Sequence, residues 1–206
     1  MSICLLCRFK NERHIMYEFV NHYLLEGIDC LYFIDHNSND DYYEKNISWL
    51  NPLINNKKII ILKSNSDNQE IDYNQYIDKI KKFNWVIICD LDEFMFSIPY
   101  KTTLKSLLND KMSNYDYIKV FWKLFIHKSK LQPKSVIDDN IYTHYSKVDK
   151  SSKSLGIKCI AKTKDLKHIY IHYLEFYKPP HTLKLYNCHN KLIQNNHYRT
   201  QSNEYL

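Results

Sequence analysis

The sequence predicts an α/β protein built on an open mixed sheet with helices on both faces. Three observations support this prediction: short apolar runs recur through the first ninety or so residues, amphipathic segments separate them, and strand-like segments dominate the second half. Alternating strands and helices are typical of a sheet with right-handed crossovers, and ligands bind such sheets outside the carboxyl ends of the strands. Functional residues are therefore expected at those ends.

The individual elements follow from hydropathy and turn residues. Ser2 to Arg8 is a continuous apolar run that predicts a buried strand. Asn11 can cap the helix that follows, whose apolar stripe runs from Ile15 to Leu24, and Gly27 stands where a helix commonly stops. Similar patterns predict three more strands and two more helices, the strands at 30–34, 58–62 and 85–89 and the helices at 42–50 and 69–83. Beyond these, strands with little helix between them are predicted at 117–126, 157–162, 169–173 and 182–186.

Composition excludes several classes of enzyme. The chain has 206 residues, of which 44% are hydrophobic and 15% aromatic, so it is long and apolar enough to fold as a single domain. Only 2 glycines are present. A Walker loop, a dinucleotide-binding G-x-G-x-x-G turn and a G-x-S-x-G nucleophile elbow each need at least two glycines within a few residues. None of these motifs is present.

Charge and cysteine content indicate the compartment. The net charge of +6 favours an anionic partner, and the lack of any run of 18 apolar residues predicts a soluble, cytoplasmic chain without a transmembrane segment. Cys4, Cys7, Cys30 and Cys89 lie within apolar runs. The Cys4 and Cys7 pair lacks the second pair that a metal finger needs, so these cysteines are interpreted as core thiols.

The sharpest local feature is an acidic cluster, Asp90, Asp92 and Glu93, directly after the fourth predicted strand. Residues i and i+2 of an extended chain point the same way, so Asp90 and Asp92 can reach one divalent cation together. On spacing alone, a turn capped by Asp90 with Asp92 and Glu93 exposed is an equally good interpretation. The position at the end of a buried strand favours the metal site. Two further polar clusters contain Asp35, after the second strand, and His197, whose imidazole can complete a metal site.

The order of the polar motifs resembles that of a known group of enzymes. In chain order the motifs are Lys10-Asn11-Glu12, Asp35-x-Asn37-Ser38-x-Asp40, Asn74, Asp90-Leu91-Asp92-Glu93-Phe94, Phe121-Trp122 and Asn196-His197-Tyr198. Over nearly the whole chain they are similar to GT-A glycosyltransferases of the family-2-like and family-92-like group, which includes virus-encoded members. The resemblance implies a GT-A nucleotide-diphospho-sugar transferase fold in one domain, residues 1–206. Residues 1–96 would be its nucleotide-binding half and residues 97–206 its acceptor-side half.

The resemblance also implies a reaction and its cofactors. A hexosyl or deoxyhexosyl group would pass from a nucleoside-diphosphate sugar to a hydroxyl of a glycan or glycoprotein, with inversion at the anomeric carbon. Manganese or magnesium would bridge the donor's diphosphate, held by Asp90, Asp92 and His197, with His172 as the alternative to His197. No nucleic acid partner is expected, and the oligomeric state is left open.

The remaining residue roles come from the same resemblance. Asp90, Asp92 and Glu93 form the expected catalytic set. The general base is not evident, and the candidates for it are Glu93, Asp138 and Asp139. Donor contacts are expected from five residues of the first half: Arg8, Lys10, Asn11, Asp35 and Asn74.

Two other functions stay open at the level of sequence. Haloacid-dehalogenase-type phosphatases also place D-x-D after an apolar strand, although normally after the first strand and not the fourth. A basic module that binds RNA or another polyanion would suit the charge of +6 and the 18 tyrosines, since aromatic rings stack on bases. Most of the aromatic residues, however, fall within the apolar strand and helix patterns, and no exposed basic and aromatic strip is evident.

Overall fold

The computed structural model describes residues 1–127, 142–145, 156–189 and 191–200. These residues form five α-helices, one 3-10 helix (Pro180–Thr182) and twelve strands. The helices are α1 (Arg13–Leu25), α2 (Tyr42–Asn55), α3 (Gln69–Gln75), α4 (Ile77–Ile80) and α5 (Leu104–Asn109). The strands are β1 (Ile3–Phe9), β2 (Cys30–Asp35), β3 (Ile59–Lys63), β4 (Trp85–Ile88), β5 (Glu93–Ser97), β6 (Tyr117–His127), β7 (Tyr142–Tyr145), β8 (Ile157–Lys162), β9 (Leu166–Ile169), β10 (Leu174–Phe176), β11 (Leu185–Cys188) and β12 (Ile193–Thr200).

Ten strands form one mixed sheet, and β9 and β10 form a separate hairpin. The sheet order is β3-β2-β1-β4-β8-β6-β12-β5, with β7 and β11 also paired to β6. Strands β1 to β4 are mutually parallel, whereas β8 runs antiparallel to both β4 and β6. The predicted open mixed sheet is confirmed. Because β1, β2 and β4 are parallel neighbours, their carboxyl ends meet at one edge.

Both faces of the sheet are covered by apolar side chains. Along β1, Leu5 and Cys7 belong to a core cluster shared with α1, α2 and α5, whereas Cys4 and Leu6 belong to a second cluster shared with α3 and α4. This alternation is expected of a strand buried on both faces. All six cysteines of the chain are free and buried, as predicted for the first four of them.

Three local predictions were wrong. The helix predicted over 69–83 is two short helices, because the backbone at Tyr76 leaves helical geometry between α3 and α4. The strand predicted over 169–173 is instead the turn that joins β9 to β10, where the Tyr170 amide donates to the Tyr173 carbonyl (2.9 Å). Asn11 does not cap α1, because the helix begins at Arg13 with Glu12 at the N-cap position, and the Asn11 side chain accepts from the Asn39 amide instead. At the other end of α1, Gly27 has a φ of 85° and stops the helix, as predicted.

Strands β5 and β12 were not predicted, although both are central to the site. Strand β12 (IQNNHYRT) is mostly polar, and β5 (EFMFS) has only three consecutive apolar residues, so neither shows the longer apolar run that marked the predicted strands. They pair antiparallel, with His197 opposite Glu93. No helix in the part of the chain described here is long and apolar enough to cross a membrane.

Candidate active site

A cavity of about 600 Å³ opens at the sheet edge where β1 and β4 end. Its wall contains eight of the residues singled out from the sequence: Arg8, Lys10, Glu12, Asp90, Asp92, Trp122, His172 and His197. It also contains five others: Phe9, His36, Gln69, Gly156 and Ile171. Strand ends of the parallel sheet therefore supply one side of the cavity, and β6, β12 and the turn after β9 supply the other.

Asp92, Glu93 and His197 lie together, and Asp92 and His197 line this cavity. The Nε2 atom of His197 is 3.2 Å from an Asp92 carboxylate oxygen, and its Nδ1 atom is 3.9 Å from a Glu93 carboxylate oxygen. The backbone supports this arrangement, because the Tyr198 amide donates to the Asp92 carbonyl (2.9 Å) and β12 pairs with β5. The three side chains can offer ligand atoms within 4.8 Å of one another.

These residues fit a divalent cation. In the described structure, Oε1 of Glu93 and Nδ1 of His197 are buried and have no hydrogen-bond partner, a costly state that a ligand relieves. Carboxylate and imidazole are ligands that manganese accepts, and the Asp92–His197 separation is close to the ~3 Å between neighbouring ligands of a small octahedral ion. Burial, reinforced by the charges of Asp90 and Asp92, raises the pKa of Glu93 well above its usual value.

Asp90 lies in the same cavity but has protein partners. One carboxylate oxygen accepts from Lys158 (2.6 Å) and the other from Gln69 (3.1 Å). Lys158 is fully buried and also lies 3.9 Å from Glu93. Burial by itself would lower the pKa of Lys158, but Glu93 and Asp90 outweigh it and raise that pKa.

Lys158 was missed from the sequence, although a signal for it existed. It interrupts the apolar β8 sequence IKCIAK, whose other residues up to Ala161 are buried. A lysine in such a strand requires a buried acidic partner, because an unpaired ammonium is too costly to bury.

Arg8 is fixed at the cavity wall by a second buried acid. Its Nε atom donates to Asp72 (2.7 Å), and its guanidinium also donates to the Ser66 carbonyl (3.1 Å). Asp72 is completely buried and accepts a further hydrogen bond from Ser64 (2.5 Å). Asp72 was also missed, since it lies within a helix that gives no hint of a partner 64 residues away. The arrangement fixes a cation beside the end of β1.

Three predicted donor contacts lie outside the cavity wall. Asp35 accepts from Lys63 (2.7 Å), the Asn11 side chain accepts from the Asn39 amide (2.8 Å), and Asn74 makes two hydrogen bonds to the backbone of Ile169. Their role toward a donor therefore stays a prediction. The base candidates Asp138 and Asp139 lie outside the described residues.

Gly156 gives the first testable prediction. A Cβ atom at this position would lie 2.1 Å from Cε3 of Trp122, so the indole ring that lines the cavity would have to move. Gly156→Ala is expected to lower kcat/KM by up to ~100-fold for the nucleotide-sugar donor that the sequence resemblance implies, because catalysis is sensitive to misplacement of about 1 Å. Gly27→Ala is the control: it is also strained, at a φ of 85°, but lies outside the cavity wall. Equal losses in both variants would show that general destabilisation explains the effect.

The fold is that of the GT-A glycosyltransferases. GalNAc-T7, solved with UDP, GalNAc and Mn²⁺, superposes with a TM-score of 0.57 at 10% identity, covering 98% of this chain and 44% of that one. HddC from Yersinia pseudotuberculosis gives 0.50 at 12% identity, covering 91% and 90%. S. aureus TarS 1-349 gives 0.45 at 12% identity, covering 79% and 47%. The chain thus spans about half the length of TarS and of GalNAc-T7.

The sequence itself gives the family. Residues 1–205 match the model of glycosyltransferase family 92. The chain therefore belongs to glycosyltransferase family 92. A search of curated proteins finds no match.

Proposed function

We propose that the protein is a metal-dependent transferase that moves a hexosyl or deoxyhexosyl group from a nucleoside-diphosphate sugar to a hydroxyl of a glycan or glycoprotein, with inversion. Family membership supports the reaction class. The metal dependence is supported by the Asp92–His197 pair, whose side-chain atoms are 3.2 Å apart. Buried atoms of Glu93 and His197 that lack a hydrogen-bond partner lie beside this pair. Both residues of the pair also line the cavity.

In this proposal Asp92 and His197 would hold Mn²⁺ or Mg²⁺, which when bound would supply positive charge against the negative charge that develops on the departing diphosphate. Glu93 is fully buried on the Nδ1 side of the imidazole, with a carboxylate oxygen 3.9 Å from that nitrogen, which is too far for a hydrogen bond. Asp90, held by Lys158 and Gln69, contacts the donor's ribose and is not a primary metal ligand.

The donor's nucleotide lies on the β1 side of the cavity. Arg8, held rigid by Asp72, and Lys10 both line the wall there and offer cationic groups to the nucleotide or its phosphates. Asn11, Asp35 and Asn74 act on the donor through the neighbouring loops, which their hydrogen bonds hold in place.

A panel of nucleotide sugars with Mn²⁺ tests this function. At a donor concentration of 100 times Kd, binding is expected to stabilise the fold by about 2.7 kcal/mol and to raise Tm by roughly 5–10 °C. The same donor should release its nucleoside diphosphate, and a chelator should remove both effects. Stabilisation that is unchanged by the chelator would contradict the metal role. Release of phosphate from a generic phosphate ester would favour the phosphatase alternative.

A further inference from the structure

The proposed displacement needs a group that takes the proton of the acceptor hydroxyl. Asp92 and His197 are committed to the cation in the proposed function, and Asp90 to Lys158. Glu93 is fully buried and does not line the cavity. We propose that His172 is the general base of this reaction, an assignment that rests on the proposed transferase function.

The hydrogen bonding of His172 fixes its tautomer. Its Nδ1 atom lies 3.1 Å from the carbonyl oxygen of Ile157 in β8. A carbonyl oxygen only accepts, so Nδ1 carries the hydrogen and Nε2 keeps a lone pair. Among the described residues, no hydrogen bond to Nε2 is present, and the side chain lines the cavity. Nε2 of His172 can therefore accept a proton in the cavity, while the hydrogen bond from Nδ1 to β8 holds the ring in place.

Trp122 places His172 beside the proposed metal site. The indole ring contacts His197 at a centroid distance of 4.4 Å and His172 at 5.6 Å, edge to face in both cases. The two imidazoles therefore flank one ring of the cavity wall. The indole Nε1 is buried without a partner among the described residues, so the ring that contacts both histidines also has a hydrogen-bond donor to offer. The reacting sugar carbon would lie in the cavity between the cation and the base.

The turn that carries His172 also presents an apolar surface. The rings of Tyr170 and Tyr173 stack at 4.0 Å, and Tyr173 is 52% exposed. Ile171, between them in sequence, is exposed and lines the cavity. Aromatic rings provide large, rigid apolar faces with a polar edge, which suits the C–H face and hydroxyls of a saccharide. This places an acceptor sugar next to His172.

The electrostatic surroundings keep His172 in its basic form. Burial lowers the pKa of His172, the ammonium of Lys158 in β8 lowers it further, and His197 in β12 acts in the same direction. The Ile157 carbonyl and the carboxylate of Asp90, after β4, oppose these effects without reversing them. The imidazole is therefore neutral at pH 7 and loses its capacity to accept a proton only in more acidic solution.

The proposed step transfers one proton and one glycosyl group. The acceptor hydroxyl gives its proton to Nε2 of His172 while its oxygen forms a bond to the anomeric carbon. The bond between that carbon and the diphosphate oxygen breaks, and the electron pair leaves with the nucleoside diphosphate. The imidazolium afterwards returns its proton to solvent, which restores the neutral ring for the next turnover.

Two other titratable groups of the cavity wall, His36 and Glu12, must be distinguished from His172. The ring nitrogens of His36 both face protein partners, Ser64 at 3.2 Å and Asp67 at 3.6 Å, so Glu12 is the stronger rival. Burial raises the pKa of Glu12 well above its usual value, and Asp92 and Asp90 raise it further. It lies between Lys10 and α1, on the side of the cavity that the proposed donor occupies. Glu12→Gln is therefore a second arm of the test.

His172→Asn is the primary variant, because the Asn amide can keep the hydrogen bond to Ile157 but has no basic nitrogen. The assay is release of nucleoside diphosphate from UDP-GlcNAc and GDP-Man with Mn²⁺, with water as the acceptor. We expect kcat to fall by ~100-fold or more, the typical contribution of a general base, with the donor KM and the Mn²⁺-dependent thermal shift unchanged. The acidic limb of the kcat profile should also disappear. His181→Asn, an exposed histidine outside the cavity, should have no effect.

Other outcomes separate the two proposals. Unchanged kcat in His172→Asn, or loss of the acidic limb in Glu12→Gln instead, overturns the role of His172 while leaving the transferase function standing. If the wild-type protein neither binds nor turns over either donor, the proposed function has no support from these donors. Nitrogen NMR of the imidazole then decides: a neutral ring protonated on Nδ1 at pH 7 supports His172, and one protonated on Nε2 overturns it.

Discussion

Replacing Asp92 with Asn is expected to abolish Mn²⁺-dependent donor binding and to lower turnover by ~100-fold or more, the usual cost of removing a group that stabilises developing charge. The substitution keeps the size of the side chain and removes the negative charge 3.2 Å from His197. The imidazole alone is a weak site for Mn²⁺, which prefers anionic oxygen ligands. Thermal shift with Mn²⁺ and UDP, together with the rate of UDP release, measures both effects.

Asp78→Asn is the matched control for this prediction. Asp78 is on the surface, pairs with Lys81 and lies outside the cavity wall. Its variant should bind Mn²⁺ and UDP as the wild type does. Full activity in Asp92→Asn, or an equal loss in the Asp78 variant, would contradict the assignment of Asp92 as a metal ligand.

Replacing Lys158 with Met is expected to lower the free energy of unfolding by about 3–5 kcal/mol. Removing the lysine from the ion pair leaves the charge of its acidic partner uncompensated. Lys158 is 2.6 Å from Asp90 and is itself fully buried. Methionine fills a similar volume, so packing changes little. Equilibrium unfolding in urea measures the loss.

The double variant Lys158→Met with Asp90→Asn separates charge from packing. Removing both charges should restore part of the lost stability, so the two substitutions should be strongly non-additive. Lys111→Met, at an exposed position between α5 and β6, should change stability by no more than about 0.5 kcal/mol, as surface substitutions usually do. Additive losses in the double variant would show that Lys158 contributes through packing alone.

The sequence predicted the sheet edge and its acids because those features are local. An apolar run followed by Asp90 and Asp92 marks the end of a buried strand, and parallel neighbours bring such ends together. The same reasoning located Arg8 at the end of β1. His197 was chosen through the family resemblance, and its place beside Asp92, 105 residues earlier, depends on the pairing of β12 with β5.

The residues that support the site could not be found in the same way. Lys158 and Asp72 act through partners 68 and 64 residues distant, and only the strand register and the helix position bring them into contact. His172 was considered only as a metal ligand. His172 lies in a turn, whereas the sequence pattern predicted a strand there. Its hydrogen bond to Ile157, which leaves Nε2 free to accept a proton, was therefore not predicted. Long-range pairing, not local propensity, determines these contacts.

Anomalous diffraction from crystals grown with Mn²⁺ and UDP tests the metal site most directly. We predict one manganese peak within ligand distance of both the Asp92 carboxylate and the His197 imidazole, with the diphosphate of UDP bound to it. A peak that contacts neither side chain, or UDP bound in the cavity without any manganese, would contradict this assignment.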